Sequence, residues 1–312
     1  MTSQQRGEQP IDGTRPGIDP ASTVGGQAVL EGVMMRAPGA WAVAVRRPDG
    51  VIQAIRQDLP RLSSRSVMAR IPFVRGIMVL GESLTLGFKA LSWSAQKAVG
   101  EEEEELTKGQ IAASMSIALA FFLAFFILVP AFVARFTSGD STILFNVIEG
   151  AVRLGLFVGY IWAIGRSSEI ARVFEFHGAE HMTIHAYEAG EPLTVDSVAR
   201  YQPEHPRCGT SFLLIVILAS ILLFSLIHHP GIVWLVVTRL VGIPLIAGLA
   251  YELLRFSGLR RGSLLARVLA APGLWLQKLT TGRPAPDQIE VAIASMVTAL
   301  EDEQVAEVLT RG

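Results

Sequence analysis

The sequence predicts a mainly α-helical integral membrane protein, with four transmembrane helices, an interfacial amphipathic helix and a small cytosolic α+β portion that contains a β-hairpin. Composition points that way first. Apolar residues make up 50% of the 312 and charged residues only 18%, where ordinary soluble domains carry about 25% charge. The mean hydropathy is positive, at +0.42. Placement of the cations points the same way, because Lys and Arg gather between long apolar stretches and avoid others. With Lys+Arg at 27 and Asp+Glu at 28, the charge balance gives no reason to expect a nucleic-acid partner.

Residues 1–23 are polar, carry Pro and Gly, and lack the apolar core of a signal peptide, so disorder is expected there. Residues 24–65 read as a cytosolic β-containing segment. Within them, AVAVRRPDGVIQAI sets Pro48, Asp49 and Gly50 between two runs of β character, which is a hairpin signal. The pair Gly25 and Gly26 reads as a turn that opens the ordered part. Residues 66–100 are apolar but carry Arg75, Glu82 and Lys89 at seven-residue spacing, which puts the three charges on one stripe of a helix. Such a helix is expected to lie in the membrane interface rather than to cross it. The acidic run Glu101 to Glu105 reads as a solvated face.

Four spans follow, at residues 111–136, 143–165, 211–228 and 231–254. Each approaches or exceeds the roughly 20 apolar residues that a hydrocarbon core requires, the third being nearest the lower limit. The last two flank His228, His229 and Pro230 and so read as a helical hairpin. Residues 1–110 hold 13 Lys/Arg, residues 166–210 hold 4, and the tail from Arg255 holds 7, while the turns 137–142 and 228–230 hold none. Cationic loops stay on the cytoplasmic side. A multi-pass cell-membrane protein with both termini and the 166–210 loop inside is therefore expected. The tail 255–312 should be cytosolic and helical, and its run PDQIEVAIASM, which starts from Pro286 and Asp287, should pack on the cytosolic portion.

Chemistry concentrates in the 166–210 loop. If His177, His181 and His185 lie on a helix, they share one face with Glu180 and Glu188. Two imidazoles one turn apart can grip a zinc ion, with a carboxylate beside them as general base toward water. The spelling HxxEH is the inverted form of a metalloprotease signature. The same loop ends in His205, Pro206, Arg207 and Cys208, so four of the six histidines and the only cysteine fall within 32 residues. The mixed set His177, His181, His205 and Cys208 suits zinc, or another divalent metal, and would leave Glu180 as the catalytic base if one ligand gave way to water. The bland alternatives are hydrogen-bonded histidines, which is the favoured reading of His185, and a rigid HPRCG turn whose Arg207 touches lipid headgroups. Glu31 and Arg36 are candidates to support the histidine loop from the β segment. Within the spans, Glu149, Arg153 and Arg239 are intramembrane charges, read as an interhelical pair in preference to a solute path.

The stretches GGQAVLEGVMMR, FHGAEHMTIHAYEAGE, HPRCGTSF and PDQIEVAIASM together resemble the YqhQ-like family of bacterial membrane proteins, over almost everything from Gly25 to Leu300. The resemblance implies a metal-dependent enzyme of the bacterial inner membrane and implies no substrate. Likeness to the inverted zinc proteases is confined to His177, Glu180 and His181, with Glu252 as a third-ligand candidate ranked behind His205 and Cys208. Two functions are then expected to compete. The first is a zinc-dependent hydrolase acting at the cytoplasmic interface on a lipid-linked or membrane-peptide substrate, with membrane lipids as its surroundings. The second is a non-enzymatic membrane factor, such as a transporter subunit or an assembly or regulatory protein, that holds a membrane-protein partner and uses a structural metal clip or none.

Overall fold

A computed structural model describes residues 24–59, 71, 73–98, 108–206, 208–224, 227, 231–259 and 263–300. The expectations for residues 1–23, Glu101 to Glu105, Arg207 and the turn His228 to Pro230 lie outside the described residues.

Four strands form an antiparallel meander in the order β1 (Gly25–Val29), β2 (Gly32–Arg36), β3 (Ala40–Arg46) and β4 (Ile52–Asp58). The β3–β4 hairpin turns where Pro48, Asp49 and Gly50 predict it. Asp49 Oδ1 accepts from the Val51 N–H at 3.0 Å, and Gly50 takes the positive φ of 85° that the turn needs. The Gly25–Gly26 pair, expected as a turn, is instead strand and pairs with Arg36 and Met35. The turn of that first hairpin falls on Leu30 and Glu31, and Glu31 holds φ at 52°. Its carboxylate meets Arg172 at 2.6 and 2.7 Å, a bidentate pair that ties the turn to a helix 141 residues later.

Alternation along the strands sends side chains to two covered faces. On one, Val29, Met34, Trp41, Val43 and Val45 pack against Leu86 and Ala90 of α1 (Val74–Ala98). On the other, Val33, Met35, Ala42 and Ala44 pack against Phe176, Ala179 and Met182 of α5 (Ser168–Ala189) and Ile289, Ala292 and Met296 of α10 (Pro286–Ala299). A sheet covered on both faces explains why β3 is buried along almost its whole length.

The apolar helices build the other half of the molecule. Helix α2 (Lys108–Leu123) runs through a π-helical turn, Ala124–Leu128, into α3 (Val129–Thr137). Pro130 accounts for a free carbonyl there: it has no N–H to give to the oxygen of Phe126 four residues earlier. That oxygen accepts from Arg153 Nε at 3.0 Å instead. Next come α4 (Thr142–Ile164), started by the Ser141 side chain, which accepts from the Leu144 N–H, then, after α5 and the one-turn α6 (Val195–Val198), α7 (Gly209–Phe224) and α8 (Ile232–Leu259). Among the described residues three helical stretches are long and apolar enough to cross a membrane, namely Ser116–Thr137, Thr142–Ile164 and Val237–Leu254. Helix α7, expected as the third span, is apolar but has 16 described residues.

Glu149, Arg153 and Arg239 come together between these helices. Arg239 donates to Glu149 Oε2 at 2.6 Å and to Asn146 Oδ1 at 3.1 Å, its guanidinium lies 3.8 Å from the centre of the Phe224 ring, and Arg153 also pairs with Glu149. Glu149 and Arg239 are each 1% exposed. The arrangement is an interhelical lock, since the pair joins α4 to α8.

The tail does two things. Helix α10 covers the sheet, with Arg46 donating to Glu290 at 2.7 Å and to the Asp287 carbonyl at 2.9 Å. Before it, α9 (Leu264–Thr280) lies along α7, so close that a Cβ on Gly273 would fall 1.9 Å from Ser211 Oγ.

Candidate metal centre

Helix α5 carries the HxxEH run, and the chain closes on it from two sides. His177 and His181 sit one turn apart with ring centres 4.4 Å apart. The His177 Nδ1 meets the Thr280 carbonyl at 2.8 Å, and the His181 Nδ1 meets the Pro203 carbonyl at 2.6 Å. A carbonyl oxygen can only accept, so Nδ1 carries the hydrogen in both rings and each Nε2 offers its lone pair. Fixing an imidazole by its other nitrogen in this way is how proteins orient metal-binding histidines.

Cys208, immediately ahead of α7, completes the group. Its thiol donates to His177 Nε2 at 3.2 Å, and it also receives the Thr210 N–H at 3.4 Å. One ligand atom from each of His177, His181 and Cys208 lies within 4.8 Å of the others. A tetrahedral zinc with bonds of about 2.0–2.3 Å sets its donors roughly 3.3–3.6 Å apart. The donor types therefore fit zinc, the His177–Cys208 spacing is already close, and a separation of 4.8 Å needs to contract by roughly 1.2–1.5 Å.

Glu180 lies beside this group, with Oε2 at 3.5 Å from His181 Nε2 and the side chain 5% exposed. Burial pushes its pKa up to about 8, offset in part by His177 and reinforced by Cys208. Burial, with His177 and His205 nearby, holds His181 well below its ordinary range, and burial raises the Cys208 thiol. The carboxyl is seated by Gly26 of β1, where an added Cβ would come within 2.7 Å of Glu180 Cγ and Oε1. Gly178 performs a similar service on the other flank, since a Cβ there would meet the Gly282 carbonyl oxygen at 2.0 Å.

His205 stands next to the trio. Its ring centre is 5.7 Å from that of His181 and 4.4 Å from that of His185, and its Nε2 lies 3.7 Å from Glu188. His185 gives Nε2 to the Glu204 carbonyl at 2.9 Å and stacks on Tyr201. The four histidines thus form one continuous row, of which two face Cys208. Glu31 reaches α5 through Arg172, five positions before His177, whereas Arg36 turns to Glu82 of α1 at 3.8 Å. Glu252 pairs with Arg75 at 2.5 Å, away from the histidines.

Sequence reasoning missed the residues that hold the centre from a distance. Gln277 of α9 clamps the His205 peptide, accepting its N–H at 2.7 Å and donating to its carbonyl at 2.9 Å. Thr280 and Pro203 act through their carbonyls. No local pattern marks a glutamine or a carbonyl for such a role.

A family model described as "Protein of unknown function (DUF1385)" matches residues 71–302. The chain belongs to that family. It is also 34% identical, over 299 residues covering 91% of this chain and 94% of the relative, to the Bacillus subtilis (strain 168) protein named "Uncharacterized protein YqhQ". The resemblance carried by the four motifs thus holds at the level of the family. The DUF1385 match contains His177, Glu180, His181 and Cys208, and it starts after β4, so Gly26 lies outside it. No solved structure matches the chain.

Proposed function

We propose that the protein is a zinc-dependent hydrolase embedded in the cell membrane, working at the cytoplasmic interface on a lipid-linked or membrane-peptide substrate. The carrying observation is the convergence of two carbonyl-anchored imidazoles and one thiol beside a buried carboxyl. Three protein donors with a carboxylate alongside are the pattern of a catalytic zinc site, in contrast to a closed four-ligand structural site. Zinc held there would supply Lewis acidity and lower the pKa of water at its open position. Glu180 would then take the proton as general base, because a bound cation favours the ionised carboxylate. His205, held beside the trio by Gln277, would orient substrate or pass protons onward.

The membrane placement rests on the apolar stretches Ser116–Thr137, Thr142–Ile164 and Val237–Leu254, with Gly209–Phe224 as the shorter fourth member. Exposed Phe121, Phe132, Phe136, Leu222, Val233 and Leu240 would face lipid tails. The distribution of Lys and Arg supports both termini and the histidine loop on the cytoplasmic side.

Elemental analysis of the full chain purified in detergent tests the first step: about one zinc per chain is expected. His181→Ala and Cys208→Ser should lose it and Glu180→Gln should keep it. Incubation with an extract of bacterial inner-membrane lipids and peptides, read by mass spectrometry, tests the second. Products that form with the wild type and vanish with Glu180→Gln support hydrolysis. Products unchanged in that variant would overturn it and leave the structural-clip reading, which requires His205 to leave Glu188 and join the set; a metal-free wild type would overturn both and leave a membrane factor without a metal.

A further inference from the structure

Helix α1 turns Arg75 and Glu82 toward the protein and its apolar stripe outward, while Lys89 stays exposed. Ile77, Leu84, Phe88 and Leu91, at steps of seven, four and three, lie on one face and are 39%, 66%, 44% and 41% exposed. Leu86, Gly87, Ala90 and Ser94 on another face are buried against the protein. Of the three charges at seven-residue spacing, Arg75 is neutralised by Glu252 and Glu82 by Arg36. Lys89 has no ion pair among the described residues. It lines a groove of about 500 Å³ between α1 and the β3–β4 edge, with Phe88, Ser92, Trp93 and Gln96 from the helix and Trp41, Ile55 and Gln57 from the strands.

The start of α1 is fixed to the end of an apolar stretch. Gly76 packs on Gly248 and Tyr251 so closely that a Cβ would meet them at 3.0–3.1 Å, and Arg75 pairs with Glu252 just within Val237–Leu254. Phe88 belongs both to the outward stripe and to the wall of the groove, so the apolar surface of α1 continues into the cleft. The cleft pairs an unneutralised ammonium with three aromatic rings and three polar side chains. That combination suits an acid group joined to an apolar body.

We propose that this groove binds one anionic phospholipid of the adjacent leaflet, with its acid headgroup on Lys89 and its upper chain against Phe88, Trp93 and Trp41. The proposal rests on the bilayer placement above and is independent of metal binding and turnover.

The test uses the full chain in detergent, with dioctanoyl phosphatidylglycerol as probe and dioctanoyl phosphatidylcholine and inorganic phosphate as comparators. Native mass spectrometry should find one phosphatidylglycerol retained per chain. The affinity should fall about five-fold in Lys89→Ala and return in Lys89→Arg. In nanodiscs, phosphatidylglycerol with brominated chains should quench the wild type more than Trp93→Phe. Chelator-treated protein should bind equally well, so loss of the hydrolase reading would leave this result standing. Equal retention of phosphatidylcholine, an unchanged Lys89→Ala, or phosphate competing at the lipid's own concentration would overturn the proposal. Absent bromine quenching together with a cross-link from Lys89 to a second copy would overturn it in favour of a dimer contact.

Discussion

Replacing Glu180 with glutamine is expected to flatten the pH dependence of stability between pH 6.5 and about 8 in the metal-free protein. The folded chain holds the Glu180 proton until about pH 8, whereas an unfolded chain releases it near 4.5. Between those values the folded state binds more protons than the unfolded one, so stability falls as pH rises. His181 acts in the opposite sense but lower down: the fold refuses a proton that the unfolded chain takes up below 6.5. The Cys208 thiol, raised above its ordinary 9.0, contributes only at higher pH still. Of Glu180, His181 and Cys208, Glu180 is then the one whose shift acts between 6.5 and about 8. Across those roughly 1.5 units, at about 1.36 kcal/mol per unit, the wild type is expected to lose about 2 kcal/mol that Glu180→Gln keeps. The assay is thermal or denaturant unfolding of chelated protein in detergent at several pH values across the interval. Parallel profiles for wild type and variant would refute the reasoning, because they would mean that the carboxyl is not held protonated by the fold.

Zinc binding at pH 7 is expected to release about two protons, one from the Cys208 thiol and one from Glu180, and about one in Glu180→Gln, as read by calorimetry in buffers of different ionisation heat. Gln277→Ala, which touches no ligand atom but frees the His205 peptide, is expected to weaken zinc about 10- to 100-fold against a competing chelator. Gly178→Ala forces α5 away from Gly282 and should lower stability by about 1–3 kcal/mol, with zinc affinity falling as well because Thr280 moves with that segment. Glu149→Gln leaves Arg239 and Arg153 without their carboxylate and should cost about 3–5 kcal/mol, seen as a lower unfolding temperature with zinc content per folded chain unchanged.

Long apolar runs made the helices legible, and Pro48, Asp49 and Gly50 made one hairpin legible, because each signal is local. The first hairpin was hidden by its own composition. Its Gly26 is needed for close approach to Glu180, and its turn places Glu31, not the adjoining Gly32 of β2, at positive φ. The histidine spacing revealed that His177 and His181 share a face, and nearness in sequence brought His205 and Cys208 into consideration. Ring direction was not legible. It depends on carbonyls of Pro203 and Thr280, the latter 103 residues beyond His177, and on a glutamine 72 residues beyond His205. The same limit applies to α1, whose seven-residue charge pattern was plain but in which the inward turn of Arg75 and Glu82 is set by Glu252 and Arg36, far along the chain.

The reach of Thr280 back to His177 has a bearing on biogenesis. During synthesis the histidine helix is complete roughly a hundred residues before the carbonyl that aims its first ring has been made, and the second sheet face waits longer still for α10. Two apolar helices, α7 and α8, must be made and seated in between. Under the zinc reading, loading would therefore be a late event, and a protein shortened before Thr280 would keep every ligand and the Pro203 carbonyl that aims His181, yet lack the carbonyl that aims His177.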